Sequence, residues 1–146
     1  MSNTHAIKHR IEIEASPEQL YAAISQQQGL AAWWTPMVEA EPELGSVARF
    51  RFGDGKHGPD MRIDTLEPGA AVGWHCVDGP WKGMDMRFEI AAHERGSVLR
   101  FTHDGWPEAD DFYMHCNAKW GFFLAVSLKG YLECGEGAPH PRDPSI

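Results

Sequence analysis

From Pro107 to Glu133 the chain reads PEADDFYMHCNAKWGFFLAVSLKGYLE, and this stretch decides the fold. No turn dipeptide interrupts it. Phe112, Cys116, Trp120, Phe123, Ser127 and Tyr131 recur at intervals of three and four, with Leu124 and Leu128 beside them. That period is the mark of one helix face. It predicts a helix of about 24 residues, about 36 Å long. Gly121 and Gly130 lie inside it, where glycine weakens a helix. Gly135 is placed to stop it. A helix this long has an apolar stripe to bury, and the residues upstream must supply the surface that covers it.

Working outward, those residues read as strands. SVLRFTHDG (97–105) sets Leu99, Phe101 and His103 on one face against Val98, Arg100 and Thr102. Asp104-Gly105 reads as a turn, and Trp106 as a plug at the junction of last strand and long helix. MDMRFEI (84–90) alternates most clearly, with Met84, Met86, Phe88 and Ile90 inward. AVGWHCV (71–77), DMRIDTL (60–66) and SVARFRFG (46–53) add three more strands of the same period-two kind. They bring Val72, Trp74 and Cys76, then Met61 and Ile63, then Ala48, Phe50 and Phe52 to their inner faces. The links GDGKHGPD, Glu67-Pro68-Gly69 and Asp78-Gly79-Pro80 are dense in turn residues. AIKHRIEIE (6–14) opens the set, with Ile7, His9, Ile11 and Ile13 inward.

Between the first strand and the rest lies SPEQLYAAI. Ser16 can cap a helix, Pro17 suits its first position and Gln19 completes a capping box. Gly29 reads as a break, after which LAAWW (30–34) forms a second short helical turn. Past the long helix, EGAPHPRDPSI (136–146) reads as a frayed tail. The order is strand, two short helices, about five strands and one long helix. Short links favour antiparallel pairing. The fold expected is α+β, one domain over residues 1–146, with a curved antiparallel sheet wrapped around the C-terminal helix.

The bulk numbers exclude several functions. The chain has 146 residues and a formal charge of −8, which argues against nucleic acid or an anionic membrane surface as partner. No apolar run approaches the ~20 residues of a membrane span. MSNTHAIKHR contains no apolar signal core, so secretion is not expected. Cys76, Cys116 and Cys134 form an odd set with no CxxC, which fits a reduced, cytoplasmic setting. Six Trp, seven Phe and six Met are many for this length. They fill a large core or line an adaptable cavity, and periodicity cannot measure empty volume.

The strand followed by ASPEQLYAAI, then LAAWWTP, WHCVDGPWKG, FTHDGW and CNAKWGFFLAVSLKGYLECGEG together resemble the SRPBCC superfamily. The branch they resemble is that of the activator-of-heat-shock-protein-ATPase homologues. The resemblance covers nearly the whole chain and implies the helix-grip, START-like fold reached above. It implies a hydrophobic ligand, lipid among the candidates, held between sheet and helix. In other branches it implies cyclase, hydrolase or dehydratase chemistry. The co-chaperone of the namesake branch carries a separate N-terminal domain that engages the chaperone. The residues here leave no room for one, so a stress-response role through a chaperone partner is not the expectation.

On this reading the sheet brings Phe50, Phe52, Met61, Trp74, Met86 and Phe88 to a candidate ligand site, with Phe101 and His103 from the last strand. The helix opposes them with Phe112, Cys116, Trp120 and Phe123, and Trp33, Trp34 and Met37 can close the opening. Such a lining suits an apolar molecule with one or two polar anchors. An inward His103 can orient a ligand or act as a general base, with Tyr113 or an inward carboxylate as partner. It can equally be a core histidine bonded to a backbone carbonyl or a carboxylate. No catalytic set stands beyond that candidate. Cys116 has no activating neighbour in sequence. Asp110-Asp111 serve the helix dipole. His75-Cys76 lie on opposite strand faces and His115-Cys116 diverge by about 100° on a helix, so no metal is expected, nor any cofactor. The function expected is binding of a small hydrophobic or aromatic molecule without chemistry of its own. A cyclase- or hydrolase-type enzyme using His103 is the alternative. A chaperone-facing module would need an apolar outer face, and Arg49, Arg51, Arg62, Asp64, Asp85, Arg87 and Glu89 are charged instead. A homodimer through an edge strand or the WWTP region is compatible with the sequence.

Overall fold

A computed structural model describes residues 5–146. The first four residues, part of the stretch read above for a signal core, lie outside the described residues. The first strand, β1, spans His5–Ile13. Ile7 and Ile13 are buried while Lys8, Arg10 and Glu12 are exposed, as the alternation predicts.

Helix α1 (Pro17–Ser25) starts where its capping signal stands. The Gln19 amide donates to Ser16 Oγ at 3.1 Å, and the Ser16 amide donates to Gln19 Oε1 at 2.9 Å. Helix α2 runs Gln27–Trp33, so Gly29 lies inside it rather than breaking it. The reason is contact. A Cβ on Gly29 would come 2.6 Å from Ala23 Cα, and only a glycine lets the two helices approach this closely.

Six strands follow: β2 (Val38–Glu39), β3 (Val47–Phe50), β4 (Asp60–Glu67), β5 (Ala71–Asp78), β6 (Asp85–His93) and β7 (Gly96–Trp106). They join β1 in one sheet of order β1-β7-β6-β5-β4-β3-β2, every pairing antiparallel. β1 and β2 occupy opposite edges, so α1 and α2 carry the chain across the sheet. Register shifts in β1 and β4 bend it. The two-residue strand β2 carries no alternation to read and was not expected.

Asp104-Gly105 is not a turn. β7 runs through it to Trp106, which pairs with His5 across a bulge. Gly105 holds φ +101°, a conformation L side chains rarely adopt, and its amide bonds the Asp104 carboxylate at 2.9 Å. The bulge lets the strand continue and seats the buried Trp106 ring against His103, Phe112 and Tyr113.

The long helix begins at Asp111, four residues later than Pro107. The Asp110 carboxylate caps it by accepting from the Tyr113 amide at 3.0 Å. It comprises α3 (Asp111–Phe122), a π-helical stretch (Phe123–Leu128) and α4 (Lys129–Cys134), and stops at Gly135 with φ +84°. Its buried face carries Cys116, Trp120, Phe123, Leu124 and Leu128 against the sheet.

The tail is docked, not frayed. The Ala138 amide donates to Ser127 Oγ at 2.8 Å and the His140 amide to the Trp34 carbonyl at 2.8 Å. The Gly53 amide donates to His140 Nε2 at 3.0 Å. Lys119 Nζ holds Asp143 at 2.6 Å and also bonds the Pro144 carbonyl. These bonds strap 136–146 along the long helix and across to the β3–β4 hairpin.

Candidate ligand-binding cleft

Trp34 sits at the centre of an aromatic cluster. Its ring lies nearly parallel to Trp33 (6.0 Å, 14°) and Trp74 (5.8 Å, 13°), and touches Phe50 at 4.5 Å and Trp120 at 5.1 Å. Trp120 meets Phe101 at 4.4 Å, and Phe88 bridges Trp74 and Phe101 at 4.9 Å from each. These rings fill the space between sheet and helix. Trp33, stacked on Trp34, is also fixed to α1 by its own hydrogen bond, Nε1–H to the Ala23 carbonyl at 2.8 Å.

One cleft of about 550 Å³ opens at the end of this cluster. α3 supplies one wall with Phe112, His115, Cys116, Lys119 and Trp120, continued by Phe123. The β3–β4 hairpin supplies Phe52, His57, Gly58 and Pro59, and the β5–β6 loop supplies Pro80 and Trp81. Trp34 forms the floor. The tail closes a side with His140, Asp143, Ser145 and Ile146. The hairpin reaches this place because Gly58 fits against the strand before it: a Cβ there would lie 1.8 Å from the Phe50 carbonyl oxygen.

Of the residues expected at a ligand site, Phe52, Phe112, Cys116, Trp120 and Phe123 line the cleft. Trp33, Phe50, Met61, Trp74, Met86, Phe88, Phe101 and His103 lie behind it, buried in the core. Of the ring and chain set expected to close the opening, Trp34 lines the cleft. Trp81 and the tail residues were missed. Trp81 had a signal, a lone Trp in a Gly- and Pro-rich loop, whereas the tail's polar, Pro-rich composition has none.

Most of the polar groups lie on the α3 and tail sides. His140 Nε2 accepts the Gly53 amide, so Nδ1 carries the proton and donates to Asp143 at 2.7 Å. Burial pushes the Asp143 carboxyl up, but hydrogen bonds from Lys119 and His140 outweigh it and hold it below the ordinary value. Burial pushes the Cys116 thiol up to about 11, so it is a neutral wall group.

His103 lies just behind Trp81 and is fully buried. Its Nδ1 accepts the Trp120 indole N–H at 3.0 Å, which leaves the proton on Nε2, facing Met84 Sδ at 3.2 Å. Burial pulls its pKa down to about 3. The imidazole is neutral and its one basic nitrogen is taken. Its partners are an indole and a thioether, not the carbonyl or carboxylate expected. Tyr113 is no partner either, since its hydroxyl donates to the Ala6 carbonyl at 2.9 Å. Among the described residues, no three His, Cys, Asp or Glu side chains cluster as metal ligands, and no helix is long and apolar enough to cross a membrane.

Comparison with known proteins places this architecture. The solution structure of the Aha1 dimer from Colwellia psychrerythraea is similar over 91% of this chain and 99% of that one, with TM-score 0.82 and 40% identity. A crystal structure of a Staphylococcus saprophyticus protein covers 91% and 95% of the two chains, with TM-score 0.76 and 17% identity. One from Chromobacterium violaceum covers 88% and 97%, with TM-score 0.69 and 24% identity. The last two show the fold alone. No curated protein matches. The family model described as Activator of Hsp90 ATPase homolog 1-like protein matches residues 14–133, from just after β1 to the last turn of α4, and the chain therefore belongs to that family.

Proposed function

We propose that the cleft binds a small hydrophobic or aromatic molecule and that the protein carries out no chemistry on it. The cleft itself carries this reading: about 550 Å³, walled by Trp34, Phe52, Trp81, Phe112, Trp120 and Phe123, with most polar groups on the α3 and tail sides. Apolar walls with a few placed polar groups, in that range of volume, are the usual make-up of a small-molecule site. The neutral, fully engaged state of His103 supports binding over acid–base catalysis, since a general base needs a free lone pair near its working pH.

Two coarser readings go with it. The Colwellia relative's structure is of a dimer, and at 40% identity a homodimer is the assembly we expect here. Sedimentation at micromolar concentration checks it, and a monomer at all concentrations refutes it. Cys76, Cys116 and Cys134 are all free, which suits a reducing cytoplasm.

The test of binding is quenching of the intrinsic Trp fluorescence during titration with fatty acids, isoprenoids and flavonoid-like aromatics. The wild type should saturate with at least one class. Phe112→Ala should weaken that affinity about 3- to 10-fold. Phe112 lines the cleft but is 44% exposed, so its loss removes apolar contact without opening the core. A flat response across the panel from the folded protein refutes the reading.

A further inference from the structure

We propose that Trp81 is a displaceable occupant of the cleft, and that the ligand is a flat, fused-ring aromatic molecule that enters by taking the place of its indole. This rests on the cleft-binding reading above and names the class of ligand.

Trp81 is seated as such a ligand would be. Its ring lies parallel to Trp34 at 6.3 Å and 5°, and near-parallel to Trp120 at 5.7 Å and 28°. Its edge meets His103 at 4.8 Å. Stacking contacts on two rings and an edge contact on a third are what an aromatic guest would make.

Its seat lacks one thing. The Trp81 Nε1–H is buried without an oxygen or nitrogen acceptor and has only the Cys116 sulfur, a weak acceptor, beside it, whereas Trp33 and Trp120 donate at 2.8 and 3.0 Å. Trp106 Nε1–H is buried without a partner too, but it is held in β7, while Trp81 is carried by a loop. A swing of the indole into water satisfies this donor and gives up the stacking. An aromatic guest restores the stacking. A guest ring without an in-plane donor fits this seat better than indole itself.

The loop permits the swing. Trp81 lies between Gly79 (φ +104°) and Gly83 (φ +89°), and the loop's bonds are backbone bonds: Gly83 amide to Cys76 carbonyl at 2.8 Å and Met84 amide to Trp81 carbonyl at 2.9 Å. Rotation about the Trp81 side-chain bonds breaks neither. Opening would deepen the cleft toward the faces of Trp34 and Trp120 and the His103 ring.

The test uses the full chain, with naphthalene and indole as probes. In the free protein, the Trp81 indole N–H should exchange with solvent at least 10-fold faster than those of Trp33 and Trp120, read by nitrogen-resolved NMR. Trp81→Ala should bind naphthalene at least 10-fold more tightly than the wild type, and naphthalene in preference to indole. Trp81→Phe, which retains an aromatic ring of smaller size, should show a smaller gain and guards against loss of fold in the alanine variant. Tighter naphthalene binding by the wild type than by both variants, or Trp81 exchange as slow as that of Trp33 and Trp120, overturns the proposal while cleft binding stands. No binding by the wild type or either folded variant overturns the proposal and the binding reading together.

Discussion

At His103 two uncharged partners settle what an imidazole can do. The Trp120 indole occupies Nδ1, Met84 sulfur faces Nε2, and no charged group contributes to the downward shift of its pKa from 6.5 to about 3. The pH dependence follows. Above pH 6.5 the ring is neutral both folded and unfolded, and its contribution is fully present. Between pH 6.5 and about 3 only the unfolded chain takes up the proton, so stability should fall by up to about 1.4 kcal/mol per pH unit from this residue. Urea unfolding from pH 7 to 4 should show that slope in the wild type and lose it in His103→Phe. An unchanged slope would mean the ring is not held neutral. Trp120→Phe should cost about 2–4 kcal/mol at pH 7, because it strands Nδ1 in the core and leaves a space where the indole was. The strand alternation made His103's inward direction legible. It could not reveal the partner, which comes from a helix facing the sheet. The pair Trp33-Trp34 was ambiguous for the same reason: only packing shows that the first ring is pinned to α1 and the second faces the cleft.

The long helix is more than a cover for the sheet. Its π-helical stretch, Phe123–Leu128, carries Ser127, whose Oγ–H donates to the Trp33 carbonyl at 2.6 Å while its oxygen accepts the Ala138 amide. One buried hydroxyl thus ties the end of α2, the helix and the tail. π-helical turns occur often near functional sites, and here the stretch begins at the cleft residue Phe123. Ser127→Ala should destabilise the protein by about 1–3 kcal/mol and raise amide exchange at Ala138 and His140 above that at β6 and β7. Equal protection at those amides in both proteins would show that the tail is held without Ser127. The helix itself was legible from its period, apart from its start. Its π-helical part changes only the hydrogen-bond spacing, which residue types do not display. The docked tail was illegible because its bonds, Ser127 to Ala138, Trp34 to His140 and Lys119 to Asp143, join positions that no local pattern connects.

Across the whole molecule, alternation in six strands and one long helical period were enough to give the sheet, its inner face and its cover. The inner face is packed with rings, and the open volume lies at one end, where α3, two loops and the tail meet. Inward direction was therefore readable, while emptiness was not: Phe101 and Phe123 point to the same interior, yet only Phe123 reaches the cleft. The central claim is that a flat apolar molecule binds there. The most direct measurement is backbone and indole chemical-shift mapping while naphthalene is added to saturation. Saturable changes should concentrate at Phe52, Trp81, Cys116, Trp120 and Phe123, with the Trp81 indole signal moving most. Changes confined to the charged outer face around Arg62 and Arg87, or no saturable change at all, would contradict it.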